Sequence, residues 1–191
     1  MSAPRRSLSR SLLAGGVLAF ALGGAWSWYR AGAARDDRDS DSENSGDSDT
    51  ALQALRTLTL PDSAGRSVAV DQFRDRLLIV NFWATWCAPC VEEMPELSAL
   101  ALELSSNRLQ IIGIGVDSAA KIAEFARKHQ ISYPLLVAGA SAVQMLRPLG
   151  NTSGGLPFTL VIDRDGQIKH RHLGRLNMST LRNQIAQLAP R

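Results

Sequence analysis

Apolar and polar residues follow different periods along this chain, and each change of period marks an element. Residues 11–29, SLLAGGVLAFALGGAWSWY, carry no charge. Residues 35–50 are almost wholly Asp, Ser, Gly, Asn and Glu, with no large apolar side chain. From residue 51 the pattern becomes that of a folded domain. LRTLTL and RSVAV, separated by PDSAG, predict a short hairpin. LLIVNFW, residues 77–83, is a near-continuous apolar run, as in a central strand covered on both faces. Beyond it Met94, Leu97, Ala101 and Leu104 recur at helical spacing. LQIIGIGV, residues 109–116, predicts a second buried strand. Asp117 or Ser118 can cap the helix whose buried face is Ile122, Phe125 and Ala126. SYPLLVA reads as a short strand and SAVQMLRPL as a helix stopped near Pro148. PFTLVI and QIKHRHLG predict a hairpin around DRDG, and STLRNQIAQL an amphipathic helix. Strands alternating with helices and ending in a hairpin predict an α/β class, a mixed central sheet flanked by helices. No internal repeat is present.

Charge sharpens this division into segments 1–34, 35–50 and 51–191. The net charge of +3 conceals an asymmetry, since residues 36–49 hold seven acids and one arginine, a balance of −6. Such a segment cannot bury enough surface to offset its ordering entropy, and it reads as an acidic, disordered tether. The domain's +4 is scattered and matches no nucleic-acid motif, so no nucleic-acid partner is expected. Arginines 5, 6 and 10 precede the uncharged run, and Trp26, Trp28 and Tyr29 close it. Its nineteen residues, at about 1.5 Å each, match a bilayer's hydrocarbon core. The flanking charge predicts a single pass with the domain outside, in the periplasm of a bacterium, anchored in the inner membrane. The small residues AGAA at 31–34 offer the alternative of a cleaved export signal and a soluble periplasmic domain.

The chain has two cysteines, Cys87 and Cys90, in NFWATWCAPCVEEMP. A structural zinc site needs four ligands, and only His129, His170 and His172 could join them, so no metal site is assigned. A disulfide closing four residues stabilises a fold weakly. A redox pair fits the local physics better. A buried strand enters a tight turn, and a helix begins at or just after Cys87, whose free N–H groups favour a thiolate there. Cys87 is then expected to be partly exposed and nucleophilic, and Cys90, a turn in, shielded. Pro89 suits the first turn of that helix, whereas Pro95 falls inside it and predicts a kink.

These residues carry a family resemblance. FWATWCAPC resembles the active site of the thioredoxin superfamily. VNFWATWCAPCVEEMPEL with the later GGLPFTLVIDRDG is similar to its exported, membrane-anchored branch, the TlpA/ResA-like thiol-disulfide oxidoreductases. The resemblance runs from residue 51 to the C-terminus. It implies the thioredoxin-like fold, with an N-terminal hairpin and a central insertion within residues 117–150. It implies that Cys87 attacks, Cys90 resolves, and Pro157 is a cis-proline packed opposite the disulfide. Leu156 would pair its backbone with an extended substrate, and Trp86, Ala88 and Pro89 would face that substrate. Glu93 matches an acid this branch carries near the cysteines; the plain alternative is a solvated glutamate like Glu92 and Glu96. Cytosolic thioredoxins carry an aspartate where this chain has Asn81. Asparagine accepts no proton, which leaves Glu93 to deprotonate Cys90.

The chemistry expected is disulfide exchange through a mixed disulfide, with no cofactor beyond the Cys87–Cys90 pair. Strong periplasmic oxidants commonly place a histidine where this chain has Pro89. With Glu93 disfavouring a second negative charge, this predicts a reductase. The resemblance implies a membrane electron donor of the DsbD/CcdA kind and periplasmic clients with disulfides or thiols, as in cytochrome c maturation or copper-centre assembly. Two other functions stay open: a disulfide oxidase or isomerase, and a copper- or zinc-binding assembly chaperone of the same fold. WCAPC lacks the Thr/Ser-rich pocket of a peroxidase.

Overall fold

A computed structural model describes residues 49–104 and 108–188. The expected membrane segment, 1–34, and the acidic tether up to residue 48 lie outside the described residues. Among the described residues no helix is long and apolar enough to cross a membrane.

The first described element corrects the sequence reading. Residues 49–57 are helical (α1), so Asp49 and Thr50 belong to a helix and not to the tether. Leu52 and Leu55, three apart, are both buried on one face of it. Thr57 Oγ1 donates to the carbonyl of Ala54, and Leu58 N–H to that of Leu55. The alternation in LRTLTL therefore fused a helix end and a strand. The hairpin exists but is shorter: β1 (Thr59–Pro61) pairs antiparallel with β2 (Ser67–Ala69). A 3-10 turn, Val70–Phe73, then buries both of its ends.

The remaining elements follow the predicted order. They are β3 (Leu77–Trp83), α2 (Ala88–Glu103), β4 (Leu109–Gly115), α3 (Ala119–Lys128), β5 (Leu135–Val137), α4 (Ser141–Leu146), β6 (Phe158–Ile162), β7 (Ile168–Leu173) and α5 (Met178–Leu188). The stretch read as an insertion holds α3, β5 and α4. The sheet order is β5-β4-β3-β6-β7; β4 runs parallel to β3 and β5, and β6 runs antiparallel to β3 and β7. Asp62 bridges to Leu136, so the hairpin covers part of the β5 edge. Lys169 and Arg171 are exposed positions of the opposite edge strand.

All seven residues of β3 are buried, and strand periodicity divides them between two layers. Leu77, Ile79 and Trp83 join the layer with α2, α3 and α5. Leu78, Val80 and Phe82 join the layer with α1, the 3-10 turn and α4. Each such side chain contributes about 1.5–3 kcal/mol by burial, enough in sum to offset a few polar groups buried among them. Two of those polar groups, Asn81 and Thr159, are register partners and fall in the first layer, under α2. The fold thus sets a polar pair beneath the helix that carries the cysteines.

Candidate active site

The C-terminal end of β3 delivers the chain to the cysteines. Cys87 N–H donates to the carbonyl of Ala84, and the Cys87 carbonyl accepts from Val91 N–H. Cys87 is the N-cap residue of α2, with Ala88 and Pro89 exposed in its first turn. The missing N–H of Pro89 costs nothing there. The helix continues unbroken through Pro95. Ahead of Cys87, the Thr85 hydroxyl donates to Asp117 Oδ2 and ties the loop to the end of β4. Burial opposes the charge of Asp117, but hydrogen bonds from Thr85, Ser118 N–H and Lys121 outweigh it and hold the carboxyl below its ordinary range. Asp117 also accepts from Ser118 N–H, and Ser118 is the N-cap of α3 without a side-chain capping bond.

Cys87 and Cys90 form a disulfide with an S–S distance of 2.09 Å and Cα atoms 5.3 Å apart. Cys90 is fully buried and Cys87 is only 6% exposed, less than expected of the outer cysteine. The reason is packing: both sulfurs enter the apolar layer of Met94 and Leu97, and Leu156 packs against it. Trp86, 67% exposed, stands beside them at the surface, whereas Trp83 lies in the core.

Glu93 is not solvated. It follows Cys90 by three residues on the same helix face and is fully buried. Asn81 Nδ2 donates to Glu93 Oε1 at 2.8 Å and to Thr159 Oγ1 at 2.9 Å. Leu176 N–H donates to Glu93 Oε2 at 2.8 Å. Burial pushes the Glu93 carboxyl above its ordinary value; the bonds from Leu176 and Asn81 and the charge of Arg175 oppose that rise without cancelling it. The carboxyl is therefore a stronger base than a surface glutamate.

The loop before β6 closes the site. The Leu156–Pro157 bond is cis, as the resemblance implies, and Pro157 is buried. Its carbonyl accepts from Gly174 N–H, whose φ of +89° suits glycine. The next two residues reach α2: Arg175 pairs with Glu92 and Glu96, and Leu176 with Glu93. One turn thus fastens the Pro157 loop and the buried acid to the same helix. His170 and His172 share a face, with ring centroids 6.2 Å apart, and His172 Nε2 is 2.9 Å from Gln184 Oε1. Among the described residues no cluster of three or more His, Cys, Asp or Glu side chains is arranged to hold a metal ion.

A model of the AhpC/TSA family matches residues 52–171. The chain belongs to that family. It is 26% identical over 132 residues to the thiol-disulfide oxidoreductase ResA of Geobacillus thermodenitrificans, covering 69% of this chain and 74% of that protein. It is 24% identical over 139 residues to the thioredoxin-like protein YneN of Bacillus subtilis, covering 70% and 77%. The crystal structure of a thiol:disulfide interchange protein of the thioredoxin family from Chlorobium tepidum aligns with a TM-score of 0.63 at 21% identity, over 70% of this chain and 94% of that one. A thiol-disulfide oxidoreductase of Bacteroides fragilis aligns at 0.59 and 25%, over 69% and 96%. The fold is thioredoxin-like, and the chain is a thiol-disulfide oxidoreductase of that type.

Two parts of the site have no counterpart in the sequence reading. Thr85 and Asp117 meet only through the β3–β4 pairing. Tyr133, from the loop after α3, enters the layer around the disulfide. Thr159 stands two residues after Pro157 in GGLPFTLVIDRDG, with no role assigned until the register placed it against Asn81.

Proposed function

We propose that the chain is an exported dithiol reductase of client-protein disulfides. The observation that carries this reading is the buried Glu93 carboxylate, fixed by Asn81 and Leu176 one turn beyond Cys90. The Cys87 thiolate, favoured by the N-terminus of α2, attacks one sulfur of a client disulfide. A Cys87–client bond forms, the client's own bond breaks, and its second sulfur leaves as a thiolate that takes up a proton. The Cys90 thiol then passes its proton to Glu93 and attacks Cys87 Sγ. The Cys87–Cys90 bond forms, the mixed disulfide breaks, and the client leaves reduced by two electrons. Pro157 and Leu156 border the exchange, and Trp86, Ala88 and Pro89 offer the exposed surface around it. The same buried carboxylate sets the direction. It opposes a second negative charge on the pair, which weakens the thiolate and makes the dithiol a better reductant.

Export rests on the uncharged run at 11–29 behind its arginines, with the acidic stretch as a tether raising the domain's effective concentration at the membrane. The domain would act in the periplasm, held at the inner membrane or released by cleavage at AGAA. A reductase there needs electrons from across the bilayer, which a donor of the DsbD/CcdA kind supplies. Clients in cytochrome c maturation or copper-centre assembly fit a reductase placed there. The Cys90→Ser variant tests the exchange. It is expected to accumulate mixed disulfides with exported proteins in cells, separable under non-reducing conditions. Their absence, with the variant expressed and folded, would count against the scheme.

A further inference from the structure

Arg175 is exposed, yet its guanidinium lies between two acids of the cysteine helix. Its Nη1 donates to Glu92 Oε2 at 3.0 Å and its Nη2 to Glu96 Oε1 at 2.6 Å. Those acids stand one turn of α2 apart, and Glu93 follows the first of them on the adjoining, buried face. The residue after Arg175 serves that buried face. Leu176 N–H donates to Glu93 Oε2 at 2.8 Å, and the Leu176 side chain enters the apolar layer. The residue before it reaches the other side of the site, where Gly174 N–H donates to the Pro157 carbonyl at 2.9 Å. Consecutive residues of one turn thus hold the cis-proline loop, the exposed side of α2 and the buried acid.

An exposed ion pair contributes little to stability by itself. A planar guanidinium with each terminal nitrogen on a different carboxylate fixes direction more than energy. Burial of Leu176 is non-directional, so it sets the depth of the turn and not its place along the helix. The fork supplies that place, because its two acceptors are spaced along α2. We propose that Arg175 is a positioning residue for the exchange: its fork on Glu92 and Glu96 registers the 174–176 turn on α2 and so keeps Leu176 N–H on the Glu93 carboxylate. The inference rests on the reading of Glu93 as the base for Cys90.

The surroundings of Glu93 give the sign of the effect. Burial favours its protonated form; the bonds from Leu176 and Asn81 and the charge of Arg175 oppose this, and Glu96 adds to it. Burial, and then the charge of Glu93, keep the phenol of Tyr133 neutral. On α5, Arg182 pairs with Glu103 at the end of α2. On β7, His172 is the register partner of Thr159 and is held by Gln184, with His170 beside it. Losing the fork removes the Leu176 bond, and the Glu93 carboxyl then keeps its proton to higher pH.

The reduced full chain is to be mixed with dithiobis(nitrobenzoate), an aromatic disulfide. One coloured thiolate leaves when Cys87 attacks, and a second leaves when Cys90 resolves the mixed disulfide. The rate of the second release is expected to rise with pH as Glu93 loses its proton. In Arg175→Ala that rise is expected about one pH unit higher, a tenfold loss of rate on its acid side. Arg175→Lys keeps the charge without the fork and is expected to follow Arg175→Ala. A wild-type profile in either variant overturns the proposal. The Glu92→Ala/Glu96→Ala double variant separates position from field. Removing two acids lowers the midpoint if only charge acts, whereas losing the fork raises it. The exposed charges are screened, so a rise is expected, and a fall or no change overturns the proposal. All three positions are exposed or half-buried at the surface, so these variants are expected to fold. Glu93→Gln is expected to lack the rise. A rise retained there overturns the Glu93 reading and the proposal together. A rise lost there but unmoved in Arg175→Ala overturns the role of Arg175 alone.

Discussion

At the scale of single residues, Glu93 is where burial and chemistry meet. Glu93→Gln is expected to slow resolution of the mixed disulfide by about 100-fold, the lower range for loss of a positioned base. Stopped-flow fluorescence on a model client disulfide measures it. The variant is also expected to fold, because Asn81 Oδ1 is buried without a partner among the described residues and an amide flip lets it accept from the new glutamine. The pH dependence has a definite sign. The folded carboxyl lies above its ordinary value, so the wild type loses stability as pH rises through that value, and Glu93→Gln does not. The stability difference in favour of the variant is expected to widen from acid to neutral pH in denaturant titrations. The cysteine pair and the acid three residues later were legible in the sequence because their relation is local, within one helix. The place of Tyr133 in the layer around the disulfide was not, because only the clamp between Ser132 and Ser98 brings it there.

At the scale of elements, long buried segments were legible to the residue and short ones only in outline. β3 was read to the residue, since seven consecutive buried positions leave no ambiguity of type. The last turn of α1 was read as strand because Leu55 opens the alternation of LRTLTL, which leaves only Leu52 ahead of it to mark a buried helix face. Leu55→Ala tests the corrected assignment. A fully buried leucine on an integral helix is expected to cost about 2–5 kcal/mol, against little at an exposed hairpin end. The contact between Thr85 and Asp117 was invisible for another reason, being created by strand pairing. Thr85→Val removes it and is expected to cost about 1–2 kcal/mol near neutral pH. Asp117 is held below its ordinary value, so that contribution is present above the unfolded carboxyl's range and is lost as pH falls through the folded value. Urea denaturation of both proteins at neutral and acid pH measures the difference and its loss.

At the scale of the whole molecule, the proposal joins a reducing site to an exported position. A reporter enzyme active only outside the cytoplasm, fused after residue 50, is expected to be active, and an inactive fusion would remove the need for a transmembrane donor. The central claim is the direction of electron flow. It rests on Pro89 in place of a histidine and on a buried carboxylate one turn from Cys90. The measurement that tests it most directly is the midpoint potential of the Cys87–Cys90 pair in graded thiol/disulfide buffers. A value of about −270 mV, near thioredoxin's, or somewhat above it is expected of a dithiol that gives electrons to clients. A value of about −120 mV, that of a strong oxidant, would contradict the account and make the protein a donor of disulfides.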